Sequence, residues 1–408
     1  MKKICVFNAA ALIALFCFVL FSCNRSGTVA QVKETSLFTL NYGSFEDELN
    51  LFNLSSAGTI NTYMTMADGF FYIANGESKK IMELNSYGDL ISLLYNEQVT
   101  KNLRFSHEGS DKSVKKAVQY PFNTLGPIAV DSEKRVYVVD TLPSERHEYD
   151  SERRLVLKHV VLRFKSDGTF IDYLGQEGSG GTPFPFVKNI YVTNNNELVA
   201  VCATNEGPAV YWFNEAGFLL YMILVSDKTV PNVYGADNEE NVSFVSVEKV
   251  IPDNNERTLY VKADFFVNYL DPSTKVQSGI DYDKTILFPF SIESGSYGEG
   301  FEIPSYEASV SENLTKEIYN IPFDFLGVTD EGWFFFILPI EKGYLVQMVN
   351  PLGQRIMKRV LSVNHADMLY YSLGLSANGI ISALFVKREQ AQVAWWRTDS
   401  LVSGLVNY

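Results

Sequence analysis

A unit of four short apolar strands recurs along this chain. In four copies the third and fourth strands are joined by a turn ending in glycine: Asn85-Ser86-Tyr87-Gly88, Lys165-Ser166-Asp167-Gly168, Asn214-Glu215-Ala216-Gly217 and Asn350-Pro351-Leu352-Gly353. A tight hairpin needs a residue at positive φ, and glycine takes that conformation without steric cost. Turn glycines at equivalent places, in units whose first strands mostly begin about 60 residues apart, commit the chain to hairpins arranged as a repeat.

The clearest copy has strands at 128–131, 135–140, 161–164 and 169–174. The first copy matches it at 63–66, 70–74, 81–84 and 89–94, and the third at 190–193, 198–202, 209–213 and 218–224. The fifth runs through 325–328, 333–338, 345–349 and 354–361. The sixth has 372–375, 380–386 and 393–396, with Arg397-Thr398-Asp399-Ser400 in place of the glycine turn. The fourth is the weakest: 247–251, 258–261, 265–270 and 285–292, with a long polar stretch and no glycine turn. Abundant aromatics, 29 Phe and 23 Tyr, suit many half-buried strands.

Six such units predict an all-β domain over residues 36–408, a six-bladed β-propeller of four-stranded antiparallel blades. The units resemble NHL-type propeller repeats, and without a recurring Trp-Asp dipeptide they do not match the WD40 type. A ring must close, because an open edge strand invites aggregation. Residues 37–42 are predicted to pair with 393–396, and 401–406 compete for the same place. The spacing exceeds the ~40–50 residues of a compact blade, and the excess lies in 96–121, 143–154 and 271–319.

The N-terminus carries an address. Lys2 and Lys3 precede a run, Ile4 to Phe21, that is apolar except for Asn8, and Ser22-Cys23 and a polar stretch follow. Basic, apolar and small residues in that order make a secretory signal peptide over 1–22. Leu20-Phe21-Ser22-Cys23 resembles the bacterial lipobox, with Leu20 and Ser22 in their expected places and Phe21 larger than usual. The resemblance, to spirochaete-type lipoproteins in particular, implies cleavage before Cys23 and acylation of its thiol. Two acyl chains anchor stably where one holds only reversibly. Residues 23–35 are then lipidated cysteine and tether, and the chain is expected in the cell envelope, on the outer membrane or the periplasmic face. An uncleaved spanning helix is the alternative.

Cleavage leaves 32 basic against 48 acidic residues, a net charge of −16. Such a surface is repelled by nucleic acid. Of the cysteines, Cys5 and Cys17 leave with the signal and Cys23 is acylated. Cys202 remains, in an apolar run that marks a buried inert thiol.

No catalytic set, metal site or cofactor motif emerges. His107, His147, His159 and His365 have no metal-ligand spacing and read as isolated surface or loop residues. Residues 176–181 are Gly-rich but lack the Lys-Ser/Thr of a phosphate loop. Asp131, Asn194, Asp253 and Asp330 follow first strands, where Asx side chains cap their own turns. Gly332-Trp333 is taken as a turn and a core tryptophan. Trp395 and Trp396 must face opposite sides of a strand. The candidate binding loop is 271–319, with Tyr297, Phe301 and Tyr306 among serines and acids, a composition suited to adaptable recognition. The expected function is an envelope-anchored platform for a protein partner or ligand. The alternatives are an extracytoplasmic propeller lyase or hydrolase acting at the channel mouth, and a small-molecule or glycan receptor.

Overall fold

The computed structural model describes residues 29–51, 61–99, 116–234 and 242–403, apart from 272, 275, 313, 314, 353 and 366. The signal peptide, Cys23, His107, Gly353 and the end of the 401–406 segment lie outside them.

Six antiparallel blades form a ring, a six-bladed β-propeller. Blade 1 is Thr62–Ala67, Phe70–Asn75, Lys80–Leu84 and Leu90–Tyr95; blade 2 is Leu125–Val130, Val136–Thr141, His159–Phe164 and Phe170–Gly175. Blade 3 is Phe186–Val192, Leu198–Thr204, Gly207–Phe213 and Leu219–Leu224. Blade 5 is Asp324–Val328, Phe334–Ile340, Gly343–Asn350 and Arg355–Ser362. Blade 6 is Met368–Leu375, Ile381–Lys387 and Gln390–Trp396, completed by Thr35–Asn41 from the other end of the chain. Phe38 stands opposite Val393 and Leu40 opposite Ala391, so the expected closure is the one observed. The competing segment begins instead as a short helix, Asp399–Ser403.

The core explains why the middle strands are almost continuously apolar. Among the described residues there are six buried clusters, one at each blade–blade interface. Successive side chains on a strand point to opposite faces, and here both faces are covered. Phe71 and Ile73 pack towards blade 6, while Tyr72 and Ala74 pack towards blade 2. Trp395 and Trp396 divide the same way, Trp395 against the blade 6–1 cluster and Trp396 inside the blade 5–6 cluster. Trp333 is also core, and Cys202 is buried between blades 2 and 3 with its thiol pKa pushed up by burial. The turn glycines 88, 168 and 217 have φ of 84°, 79° and 90°. They also abut the preceding blade: a Cβ on Gly168 would lie 2.9 Å from a Val118 methyl.

Blade 4 departs from the sequence expectation. Residues 258–261 and 265–270 are not two strands but one, Thr258–Leu270, paired along its length with Gln277–Ser291. The long polar stretch is therefore largely a hairpin running beyond the blade, turned by Asp271, whose Oδ1 accepts the N–H groups of Ser273 and Thr274. Polar residues break the apolar pattern there because the hairpin has left the core. The outer position of blade 4 holds two short pieces, Ser296–Tyr297 and Phe301–Ile303, and a second hairpin, Tyr306–Glu312 with Thr315–Ile321, follows.

Residues 31–32, expected in the tether, also belong to the fold: Gln31–Val32 pairs in parallel with Arg355–Ser362 of blade 5. Residues 176–181 form a hydrogen-bonded turn in which Glu177 accepts the Thr182 N–H and Gly178–Ser179 pairs back on blade 2.

Antiparallel blades place the connections between second and third strands, and those between blades, on one face, called upper below. The turns between first and second strands lie on the lower face. The insertion at 143–154, the hairpin turn at 271–276 and the hairpin of Tyr306–Glu312 with Thr315–Ile321 are connections of the upper kind.

Candidate functional site at the channel mouth

First strands line the axis of the ring, and five of the six carry a register shift against the second strand, in blades 2 to 6. A bulge puts two residues opposite one and re-aims side chains. Two cavities open along this axis, and Leu326 of blade 5 lines both.

The lower cavity, about 550 Å³, takes residues from all six blades. Asp131, Asn194, Asn254 and Asp330 in its lining are already hydrogen-bonded. Asp131 accepts the backbone N–H groups of Glu133 and Arg135, the Arg135 Nε at 2.5 Å and the Tyr137 hydroxyl at 3.0 Å. Asn194 donates to Asn255 at 2.8 Å and to Asp330 at 2.9 Å, and Asn254 donates to the Val328 carbonyl. Asp253 accepts the N–H groups of Asn255 and Glu256. The expected turn capping is present at Asp131 and Asp253, whereas the Asn194 and Asp330 side chains bond across blades and tie blade 3 to blades 4 and 5.

The upper cavity, about 240 Å³, differs in kind. Its walls are apolar side chains of blades 5 and 6, among them Phe325, Ile337, Tyr344, Tyr371 and Leu373, and it carries four charged residues, Glu248, Lys249, Lys262 and Asp324. The bulge between Val247 and Lys249 sets Lys249 directly across from Lys262. Like charges facing each other across a strand pair are destabilising unless each finds compensation. Lys262 finds it: its ammonium lies 2.8 and 2.7 Å from the two Asp264 oxygens, with both side chains buried. The Thr285 hydroxyl donates to Asp264 and is itself 2.9 Å from the Tyr282 hydroxyl. Burial pushes the Asp264 carboxyl above its ordinary value, opposed by Lys262.

Lys249 is not compensated in this way. It is half-buried and, among the described residues, has no hydrogen-bond or ion-pair partner. Burial pushes its ammonium below the usual lysine range; Asp324 opposes that shift, and Lys188 and Lys262 add to it. On the same cavity the Tyr344 hydroxyl is buried, and the Tyr344 ring meets Tyr371 edge-on at 5.4 Å. Small-molecule sites have this make-up, mostly apolar walls with a few convergent polar groups.

None of these residues was singled out from sequence. The one visible signal is Lys262-Ala263-Asp264, two charges on one face in the middle of a second strand, where the other blades are apolar. The bulge at Glu248 leaves no trace in the alternation.

The sequence candidates lie elsewhere. Tyr297 packs on Phe290 and Phe288 at 4.9 and 5.9 Å, Phe301 packs on Phe334 of blade 5 at 5.2 Å, and Tyr306 is half-buried against the blade 4–5 cluster. The three rings do not converge on the upper cavity. The reading of every histidine as a surface or loop residue is corrected at His159, a buried strand residue between blades 2 and 3. Its Nδ1 accepts the Val187 N–H at 2.9 Å, and burial lowers its pKa to about 4. His147 is exposed near the Leu142 carbonyl, and His365 meets the Tyr344 ring edge-on at 5.2 Å.

No protein-family model matches the sequence, and no curated protein matches it. Several solved structures are similar. A polysaccharide lyase of family PL25, an ulvan lyase, has TM-score 0.42 at 11% identity over 89% of this chain and 83% of that one. A gluconolactonase from Xanthomonas campestris has TM-score 0.37 at 11% identity over 91% and 99%. The β-propeller domain of the Trilobed protease from Pyrococcus furiosus has TM-score 0.32 at 9% identity over 67% and 80%. Likeness at this level transfers no site and no activity.

Proposed function

We propose that this chain is an envelope-anchored ligand-binding propeller whose upper channel mouth takes a small carboxylate with an apolar body. Export by residues 1–22 and acylation of Cys23 would tether the ring to a membrane. The apolar body would lie against Tyr371, Leu373 and Ile337, with the carboxylate on Lys249. Asp324 and Glu248, on the same cavity, suit a donor next to the carboxylate, either an ammonium or a hydroxyl.

The observation that carries this reading is the inequality of two facing lysines: Lys262 is paired with Asp264, and Lys249 lines the cavity without a partner among the described residues. A desolvated cation gains most from an anion that replaces its lost water.

The reading is tested by thermal unfolding of the full-length protein in mild detergent, with L-phenylalanine and L-phenyllactate as probes. These share a carboxylate and a ring and differ in ammonium against hydroxyl. The expected result is a concentration-dependent rise in Tm with at least one of them, lost in Lys249→Met. No rise with either, or the same rise in the variant, would refute the site. Detergent phase partition tests the anchor: wild type is expected in the detergent phase and Cys23→Ala in the aqueous phase.

A further inference from the structure

The outer edges of the blades are finished unequally. Blades 1 and 5 each receive an extra strand laid parallel to the outermost one, Lys116–Gln119 and Gln31–Val32, and blade 2 folds Gly178–Ser179 back on its edge. The edge of blade 6, Thr35–Asn41, carries no further strand among the described residues, but its outward residues are polar: Thr35, Ser36, Thr39 and Asn41 are exposed. Blade 3 is apolar there and, among the described residues, bare beyond a single bridge between Phe218 and Gly178. Leu219–Leu224 is its last strand, contains no charged residue and exposes Leu220, Met222 and Leu224 along one face, 36 to 40% accessible, with Phe218 at 69% just before them. Exposed edge strands normally carry charge, proline or a cover, because unpaired N–H and C=O groups recruit another strand.

That face continues into a second groove of about 170 Å³ between blade 3 and the hairpin of Glu148–Asp150 with Leu155–Leu157. Met222 and Leu224 join Leu155 and Leu157 in its lining. Its rim is acidic: Glu152 and Glu206 carry no ion pair among the described residues, whereas Asp150 lies 3.8 Å from Arg153.

We infer that the edge of blade 3 is a docking site for an extended segment of a partner protein, with apolar side chains at alternate positions and basic residues at the end that reaches the upper face. Its backbone would add a strand to Leu219–Leu224. Its apolar side chains would extend the Leu220, Met222 and Leu224 face, and its basic end would meet Glu152 and Glu206. Main-chain bonds supply affinity in such pairing, and alternate side chains supply specificity. A second copy of this chain fits less well, since Leu219–Leu224 offers no basic residue and two chains of net charge −14 repel. This edge and its groove share no residue with the two channel cavities.

The test uses the full chain in detergent and a fluorescein-labelled peptide, acetyl-Val-Thr-Val-Thr-Val-Lys-Lys, read by fluorescence anisotropy. A peptide ending in Glu-Glu and one with the same residues scrambled serve as controls. The expected result is binding of the Lys-Lys peptide at least tenfold tighter than either control. Glu206→Lys should weaken it at least fivefold and Met222→Lys should abolish it, with hydrogen exchange slowed at 219–224 when the peptide is bound. Equal binding of the three peptides, or binding unchanged in Met222→Lys, would overturn the proposal. So would a concentration-dependent dimer in sedimentation that Met222→Lys dissolves, since that would assign the edge to self-pairing.

Discussion

Lys262 and Asp264 stand two positions apart on one strand of blade 4, so both side chains leave the same face, and they meet at 2.7 Å with each almost wholly out of solvent. Breaking such a pair from one side leaves a buried charge alone, which costs about 3–5 kcal/mol, whereas replacing both partners with apolar groups is often neutral. Asp264→Ala is therefore expected to lower the urea midpoint sharply. The double variant Lys262→Met, Asp264→Leu should recover most of that loss. A single variant within about 1 kcal/mol of wild type would mean that the pair is not buried as described.

Two buried groups pull stability in opposite directions over one pH window. His159 is held at about 4, by burial first and then by Lys158, against 6.5 ordinarily. The unfolded chain protonates first as pH falls, so this group removes stability between pH 6.5 and 4. Burial raises Asp140 from 3.8 to about 6, against hydrogen bonds from the N–H groups of Asn123 and Thr124. Here the folded chain protonates first, so acidification from pH 6 to 4 adds stability. Each effect is about 3 kcal/mol at most, and they largely offset. Scanning calorimetry should find that Asp140→Asn makes Tm fall more steeply on acidification than in wild type, while His159→Asn flattens or reverses the slope. Parallel curves for all three proteins would contradict the assignment.

Gly168 and Gly69 have nearly the same φ, 79° and 77°, but different surroundings. A Cβ at Gly69 meets nothing within 4 Å, whereas at Gly168 it meets Val118 at 2.9 Å and Leu94 at 3.0 Å. Gly69→Ala should cost only the conformational penalty, about 1–2 kcal/mol. Gly168→Ala should cost that and a further 1–3 kcal/mol from crowding against blade 1. Equal losses in chemical denaturation would show that the turn does not press on its neighbour.

The same glycine shows why the ring was legible. Its turn repeats at Gly88 and Gly217, and strands buried on both faces leave apolar runs such as 136–139 that need no partner to be recognised. The closure was legible because 37–42 is an outer strand with no blade of its own. Blade 4 was not, because Thr258–Leu270 and Gln277–Ser291 continue past the core, where Asn268 and Asp271 break the apolar pattern. The channel mouth was hidden for a different reason. Lys249 meets Lys262 only through the bulge at Glu248, and Asp324, Tyr344 and Tyr371 come from two other blades. Tyr297, Phe301 and Tyr306 drew notice by composition, and composition does not distinguish rings packed on Phe290 and Phe334 from rings held out to a partner.

The most direct test of the central claim is calorimetric titration of L-phenyllactate and L-phenylalanine into the full-length protein in mild detergent, at low salt. It should compare wild type with Lys249→Met and with Lys228→Met, which removes an exposed lysine away from the channel. A dozen heavy atoms at about 0.3 kcal/mol each place Kd near or somewhat below a few millimolar. The account predicts saturable heat at one site for at least one probe, an affinity unchanged in Lys228→Met, and a loss of at least tenfold in Lys249→Met. Saturable binding of the same strength in wild type and Lys249→Met, or no heat with either probe in wild type, would contradict it.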